Sequence, residues 1–152
     1  MSLRIMHIST RLIRGGSQEN TLLTCRGQRD RGHQVALVHG PIHGPEGSMA
    51  DEVPAGIERM ESSHLLRDPA PFREWRCGRE LRTLIRDWKP DVVHTHSSKA
   101  GILGRRAAWS VRVPAVVHTV HGMPFHRHQA WPLRKLYIAL EQHAARRCHA
   151  LP

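Results

Sequence analysis

Two short segments place imidazoles directly behind apolar runs. The first is Asp91-Val92-Val93-His94-Thr95-His96-Ser97-Ser98-Lys99; the second is Ala115-Val116-Val117-His118-Thr119-Val120-His121-Gly122. Histidine at the end of a buried strand serves two chemistries. It ligates a metal, or it meets a polar ligand at the edge of a sheet. His-X-His at a strand end opens the site of some barrel metallohydrolases, and His96 and His121 are the pair that such a site would use. A hydrolytic zinc site, however, adds carboxylate or further histidine ligands at matched positions. Asp91 begins its run and lies at the wrong end, and the sequence contains no H-E-x-x-H. The expectation is a site without a metal. His94 and His118, inside the runs, read as hydrogen-bonded core residues.

A third element of chemistry follows the first apolar run. Arg14-Gly15-Gly16-Ser17 lets the backbone come close to a ligand, and the N–H groups opening the next helix are disposed to receive an anion. G-x-G-x-x-G is absent, and no matching acidic residue follows, so this is not a dinucleotide fingerprint. A tight turn alone explains a Gly-Gly pair equally well. In the same way, Ser97, Ser98 and Lys99 read either as a ligand-binding helix start or as a capped one with a solvated lysine. The run 125–131, with His126 and His128, reads as a loop carrying exposed histidines.

The elements that must position these residues alternate along the chain. Residues 4–9 form a first strand, and Ser17 is the expected cap of a helix ending near Gly32. Residues 33–40 form a second strand, followed by a Gly- and Pro-rich irregular loop over 40–56 and a short strand at 57–60. A helix over 72–88 carries Phe72, Trp75, Leu81, Leu84, Ile85 and Trp88 near a 3.6 period and stops at Pro90. A strand at 91–95 leads to a helix over 99–110 capped by Ser97 or Ser98, with Gly101 and Gly104 allowing close packing on a sheet. A strand at 115–120 precedes a helix beginning near Pro132 with the stripe Leu133, Leu136, Tyr137, Leu140 and Ala144. Cys148 to Pro152 reads as the opening of a sixth strand. Alternating strands and helices, with strands of little polar alternation, predict an α/β fold: a Rossmann-like, doubly wound parallel sheet. Ligands of such sheets bind outside the carboxyl ends of the strands. Gly16, His96 and His121 each follow a strand in the same sense and should share one edge.

Composition narrows the partners. The 152 residues are 39% hydrophobic and 24% charged, as in ordinary soluble domains. The start lacks the apolar core of a signal peptide, and no run approaches the ~18 residues of a membrane span. Cys25, Cys77 and Cys148 are odd in number and far apart, as expected of free thiols. A cytoplasmic location is expected. The net charge of +10 fits nucleic acid, an anionic membrane or a phosphorylated substrate. With only 5% aromatics and no basic block, nucleic acid is the poorest of the three.

Taken together, "RLIRGGSQENTLLTCRGQRDRGHQVALVHGP", "KPDVVHTHSSKAGILGRRAAWSVRVPAVVHTVHGMPFH" and their order resemble the N-terminal domain of family 4 glycosyltransferases. The resemblance runs from about Arg4 to Pro152. It implies the acceptor-side half of a retaining GT-B enzyme that uses a nucleoside-diphosphate sugar and no essential metal or other cofactor. It implies that Gly15 and Gly16 lie by the donor diphosphate and the acceptor, and that His121 lies over the donor sugar. His96, Ser98 and Lys99 would line the acceptor side. The implied acceptor is a polysaccharide or lipid-linked intermediate, with peripheral contact at the inner membrane face. The second, nucleotide-gripping domain of such enzymes is missing from these residues, so the chain is expected to be truncated and inactive alone; the alternative reading is a non-catalytic half-enzyme remnant or interaction domain. At Gln28 an apolar residue facing the sheet is expected; the departure implies a weaker helix with no effect on the site.

Overall fold

The computed structural model of the chain describes residues 1–42 and 47–152. The expected loop over 40–56 falls partly on 43–46, outside the described residues. Five strands form one sheet: β1 (Arg4–Ser9), β2 (Gln34–His39), β3 (Ile57–Glu61), β4 (Val92–His96) and β5 (Ala115–Thr119). All neighbours are parallel in the order β3-β2-β1-β4-β5. The helices are α1 (Gly16–Asp30), α2 (Pro71–Trp88), α3 (Ser98–Ser110) and α4 (Trp131–Ala145). A 3-10 turn, Ala50–Glu52, interrupts the expected irregular loop. This is the doubly wound α/β sheet that the alternation of elements predicts.

Because the strands are parallel, each needs a crossover, and the crossovers bury both faces. On one face Met6, Ile8, Ala36, Val38, Val93 and Val116 pack with Cys77, Leu81, Ile85 and Trp88 of α2 and Ala100, Ala107 and Ala108 of α3. On the other, Val35, Leu37 and Ile57 pack with Leu22 and Cys25 of α1. Two apolar stripes depart from expectation. Phe72 and Trp75, at the start of α2, are 65% and 54% exposed, and the buried stripe runs instead through Cys77, Leu81, Ile85 and Trp88. On α4 only Ala144 is buried; Leu133, Leu136 and Leu140 are exposed and face a cleft.

The helix starts also differ from expectation. Gly15 holds the N-cap position of α1, its carbonyl accepting from the N–H of Glu19 at 3.0 Å, and Ser17 lies inside the helix with its hydroxyl on Gln18 Oε1. Ser97 precedes α3 with φ of 64° and caps no N–H with its side chain. The α2 helix ends at Trp88, where Lys89 turns left-handed (φ 52°) before Pro90. At the far end, Ala150 makes a single parallel bridge to Val117, with His118 N–H donating to Ala150 O at 3.1 Å. A single bridge, with no sixth strand among the described residues, therefore stands where a strand start is read from residues 148–152.

Candidate functional site

The register fixes which chemical groups meet. Ser9, His96 and Thr119 lie level across β1, β4 and β5, so the loops after these strands open at one carboxyl edge. Gly16, His96 and His121 therefore share that edge, as the strand senses predict.

On the α1 side of the sheet, side chains alternate so that His94 and His96 project together, their rings 4.2 Å apart. His7 of β1 lies beside them, 5.0 and 5.2 Å from the two rings. The bonding is continuous. Gln28 Oε1 meets His7 Nε2 at 2.7 Å, His7 Nδ1 meets His96 Nε2 at 2.9 Å, and His96 Nδ1 meets His121 Nε2 at 3.1 Å. His94 Nε2 bonds Thr119 Oγ1 at 2.8 Å. Gln28 thus reaches the site through two imidazoles, which corrects the expectation that it leaves the site untouched. Burial disfavours the charged form of each ring. It lowers His7 to about 4. Burial, then the neighbouring His7, lowers His94 to about 3. His96 is driven down by burial and then by the other imidazoles, and His121 by burial. At neutral pH these are four uncharged imidazoles.

Three of them, His7, His94 and His96, offer nitrogens within 4.8 Å of one another, the spacing of a metal site. Among the described residues, no carboxylate joins them to offset the charge of a buried cation. A cation there would also have to replace the 2.9 Å bond between His7 and His96.

His118 projects to the opposite face. Its Nδ1–H donates to Thr95 O at 3.1 Å, and its ring lies under α3, where a Cβ added at Gly101 would come within 2.4 Å of it. A Cβ at Gly104 would meet Thr95 Cγ2 at 2.7 Å, so both glycines admit the close packing read from the sequence. Arg105, buried on the same helix, donates to Gly101 O and to Glu141 Oε2 of α4 at 2.7 Å. His118 is lowered to about 4 by burial and then by Arg105.

Beside this cluster a cleft of about 700 Å³ opens between the α1 start, the α3 start and α4. One wall is polar, with Thr10, Arg11, Ser17, Gln18 and Ser98; the other is apolar, with Leu133, Leu136, Tyr137 and Leu140. Ser98 and Lys99 are among its lining residues. The Lys99 ammonium is engaged, 3.0 Å from Glu74 Oε1 and donating to Asp68 O at 2.6 Å. His96 is not part of the lining: it is buried and bonded to His7 and His121. Gly15 and Gly16 are exposed just before the lining residues Ser17 and Gln18. Gly15 is extended (φ 172°), a Cβ there would meet only the flexible end of Gln18 at 3.0 Å, and nothing lies within 4 Å of a Cβ built on Gly16, so the fold does not itself require glycine at either position. His126 and His128 are exposed, as read.

Sequence reasoning passed over His7 and the partnership of Gln28. A histidine at an inward position of "RIMHIS" was the available signal for the first. For the second it was the polar residue standing where an apolar one is expected.

This sheet, with its cleft at the carboxyl edge, has the architecture of an N-terminal GT-B domain. MurG from Acinetobacter baumannii superposes with a TM-score of 0.68 at 15% identity, covering 98% of this chain and 40% of MurG. UDP-GlcNAc 2-epimerase from Neisseria meningitidis, bound to UDP-GlcNAc, superposes with a TM-score of 0.61 at 16% identity, over 91% of this chain and 38% of the epimerase. Residues 14–151 match Glycosyltransferase Family 4, and the chain belongs to that family. An Escherichia coli UDP-Gal:alpha-D-GlcNAc-diphosphoundecaprenol alpha-1,3-galactosyltransferase is 37% identical over 100 residues, 66% of this chain and 26% of the relative. A Sodalis glossinidius (strain morsitans) UDP-N-acetylglucosamine--N-acetylmuramyl-(pentapeptide) pyrophosphoryl-undecaprenol N-acetylglucosamine transferase is 41% identical over 54 residues, 36% of this chain and 15% of the relative. The chain thus spans about a quarter of the galactosyltransferase's length.

Proposed function

We propose that the chain forms the acceptor-side half of a retaining glycosyltransferase that moves a sugar from a nucleoside-diphosphate donor to a lipid-linked or polysaccharide acceptor. The observation that carries this reading is the division of the carboxyl edge. An amphipathic cleft lies on one side, and a half-buried His121, held by His96, lies outside the lining of that cleft. A lipid-linked diphosphate sugar suits the cleft: its polar head meets Arg11, Gln18 and Ser98, and its chain meets Leu133, Leu136 and Leu140. The two relatives described above carry undecaprenol-linked acceptors in their names, which supports the same class.

In this reading Gly15 and Gly16 admit the diphosphate against the start of α1. His121 contacts the donor sugar, and fixed donors and positive charge, with no essential metal, stabilise the leaving diphosphate. Lys99 serves the acceptor side indirectly, by holding residues 67–74 against α3. Exposed Trp131, Leu133 and Leu136, flanked by Arg134 and Lys135, offer a peripheral contact with an anionic bilayer. The nucleotide is gripped by a second domain, and without it the cleft neither orients the donor nor excludes water.

The test joins this chain to the C-terminal remainder of the E. coli galactosyltransferase and measures product from a panel of nucleoside-diphosphate sugars. Transfer by the chimera, reduced about 10²–10³-fold by His121→Ala, is the expected outcome. Robust turnover by the 152-residue chain alone, or an unchanged rate in the variant, overturns the reading.

A further inference from the structure

Hydrogen-bond bookkeeping along the imidazole chain leads to a statement about one proton. An amide oxygen has no hydrogen to give, so Gln28 Oε1 can only accept, and His7 must donate from Nε2. A neutral imidazole carries one N–H, so His7 Nδ1 is a lone pair and accepts from His96 Nε2–H. His96 Nδ1 is then a lone pair in turn and accepts from His121 Nε2–H. The remaining nitrogen of His121, Nδ1, has no partner among the described residues and is left as a lone pair.

We propose that Gln28 and His7 are positioning residues: they fix His121 in its Nε2–H form, so that its free Nδ1 presents an acceptor to a ligand hydroxyl. The consequence is selective. An acceptor takes the hydrogen of a sugar hydroxyl, whereas the other tautomer would offer a donor and favour a phosphate oxygen. Burial of the interior rings supports the neutral state on which the count depends: His7 and His96 are 0% and 1% exposed. The chain also explains a polar residue on the inner side of α1. An apolar side chain at 28 would leave His7 Nε2 without a partner in the core, and nothing would then select one tautomer along the chain.

The functional consequence rests on the glycosyltransferase reading of His121; the tautomer itself does not, and it is read without turnover. The test is long-range ¹H–¹⁵N correlation on the ¹⁵N-labelled 152-residue chain at neutral pH. The expected spectrum shows His7, His96 and His121 each with a pyrrole-type Nε2 and a pyridine-type Nδ1. Gln28→Glu, whose carboxylate also only accepts, keeps that pattern. Gln28→Met removes the anchor and gives mixed or inverted tautomers at His121, two rings away. A purely structural role for Gln28 would change stability and leave the tautomers alone. If Gln28→Met does not fold, the wild-type and Gln28→Glu spectra still decide. A pyrrole-type Nδ1 on His121 in the wild type, an unchanged pattern in folded Gln28→Met, or zinc retained on the rings of His7, His94 and His96 would each overturn the proposal.

Discussion

The two His-Thr segments read almost alike, yet their leading histidines, His94 and His118, end up on opposite faces of one sheet. His94 pairs in register with Val117, and Thr95 with His118, so the second segment is displaced by one residue relative to the first. With a side-chain period of two, that displacement turns every group over. His94 and His96 therefore join His7 on the α1 side, in a polar chain leading to His121. His118 points under α3, where its ring fills the space left by Gly101 and bonds Thr95. The histidine that opens each His-Thr pair thus joins the polar chain in one case, His94, and the core in the other, His118. Strand register, which a motif does not record, makes the difference.

The sharpest way to break this comparison is to truncate one histidine from each side. His121→Ala should show the largest effect, a loss of transfer of about 10²–10³-fold in the chimera, with the chain still folded. His118→Ala should do the opposite. Removing a buried, hydrogen-bonded ring should cost about 3 kcal/mol in urea unfolding, and whatever folds should keep its rate. A rate loss in His118→Ala at full stability would mean that the two faces are not separate.

Gly101→Ala probes the same boundary from the helix side. Its Cβ would lie 2.4 Å from His118 Cε1, so ring or helix must shift, at a cost of about 2 kcal/mol. Combining it with His118→Ala should cost less than the sum, because the first change no longer meets a ring. Strict additivity in the double variant would show that the contact is relieved elsewhere.

How much of this was legible follows from the same registers. The parallel sheet, its order of elements and the shared edge of Gly16, His96 and His121 follow from hydrophobic runs and strand sense, which are local. The apolar stripe of α4 has the period of a core helix, yet Leu133, Leu136 and Leu140 face an open cleft. Nothing in periodicity separates the two uses of a stripe. His7 and Gln28 escaped because their roles depend on contacts 89 and 21 residues away in sequence, to His96 and between themselves. The ion pair of Lys99 with Glu74 was not legible either, because it depends on how α2 meets α3.

Acid should strain both faces together. His7 and His118 are lowered in the fold, to about 4 each, and His94 to about 3. Unfolded, each returns to about 6.5. Below that value the unfolded chain binds more protons than the folded one, so stability falls as pH falls from about 6.5 toward 4 and is complete above it. Each such ring adds up to about 1.4 kcal/mol per pH unit in that window. Urea midpoints measured at pH 7.5, 6 and 5 should decline steadily, and His118→Leu should flatten the decline. A midpoint that does not change from pH 7.5 to 5 would show that the rings are protonated in the fold.

The smallest effect expected belongs to Lys99, and it decides what that residue is for. Its ammonium is 3.0 Å from Glu74 Oε1, with the lysine side chain 16% and the glutamate 35% exposed. A partly exposed pair of this kind contributes about 0.5–1 kcal/mol. It also carries hydrogen bonds to Arg67 O and Asp68 O, so it ties the segment before α2 to the start of α3. If tethering is the whole role, Lys99→Ala and Glu74→Ala should lower stability by similar small amounts, and the double variant by little more than either. Acceptor KM in the chimera should then rise equally in both, within about threefold, as the cleft wall loosens by a fraction of the pair's energy. A lysine that touches the acceptor diphosphate would behave differently. Lys99→Ala would raise KM well beyond Glu74→Ala, and Glu74→Ala would lower it by freeing the ammonium. That opposite sign in Glu74→Ala distinguishes a tether from a ligand-binding cation, whatever the size of either effect.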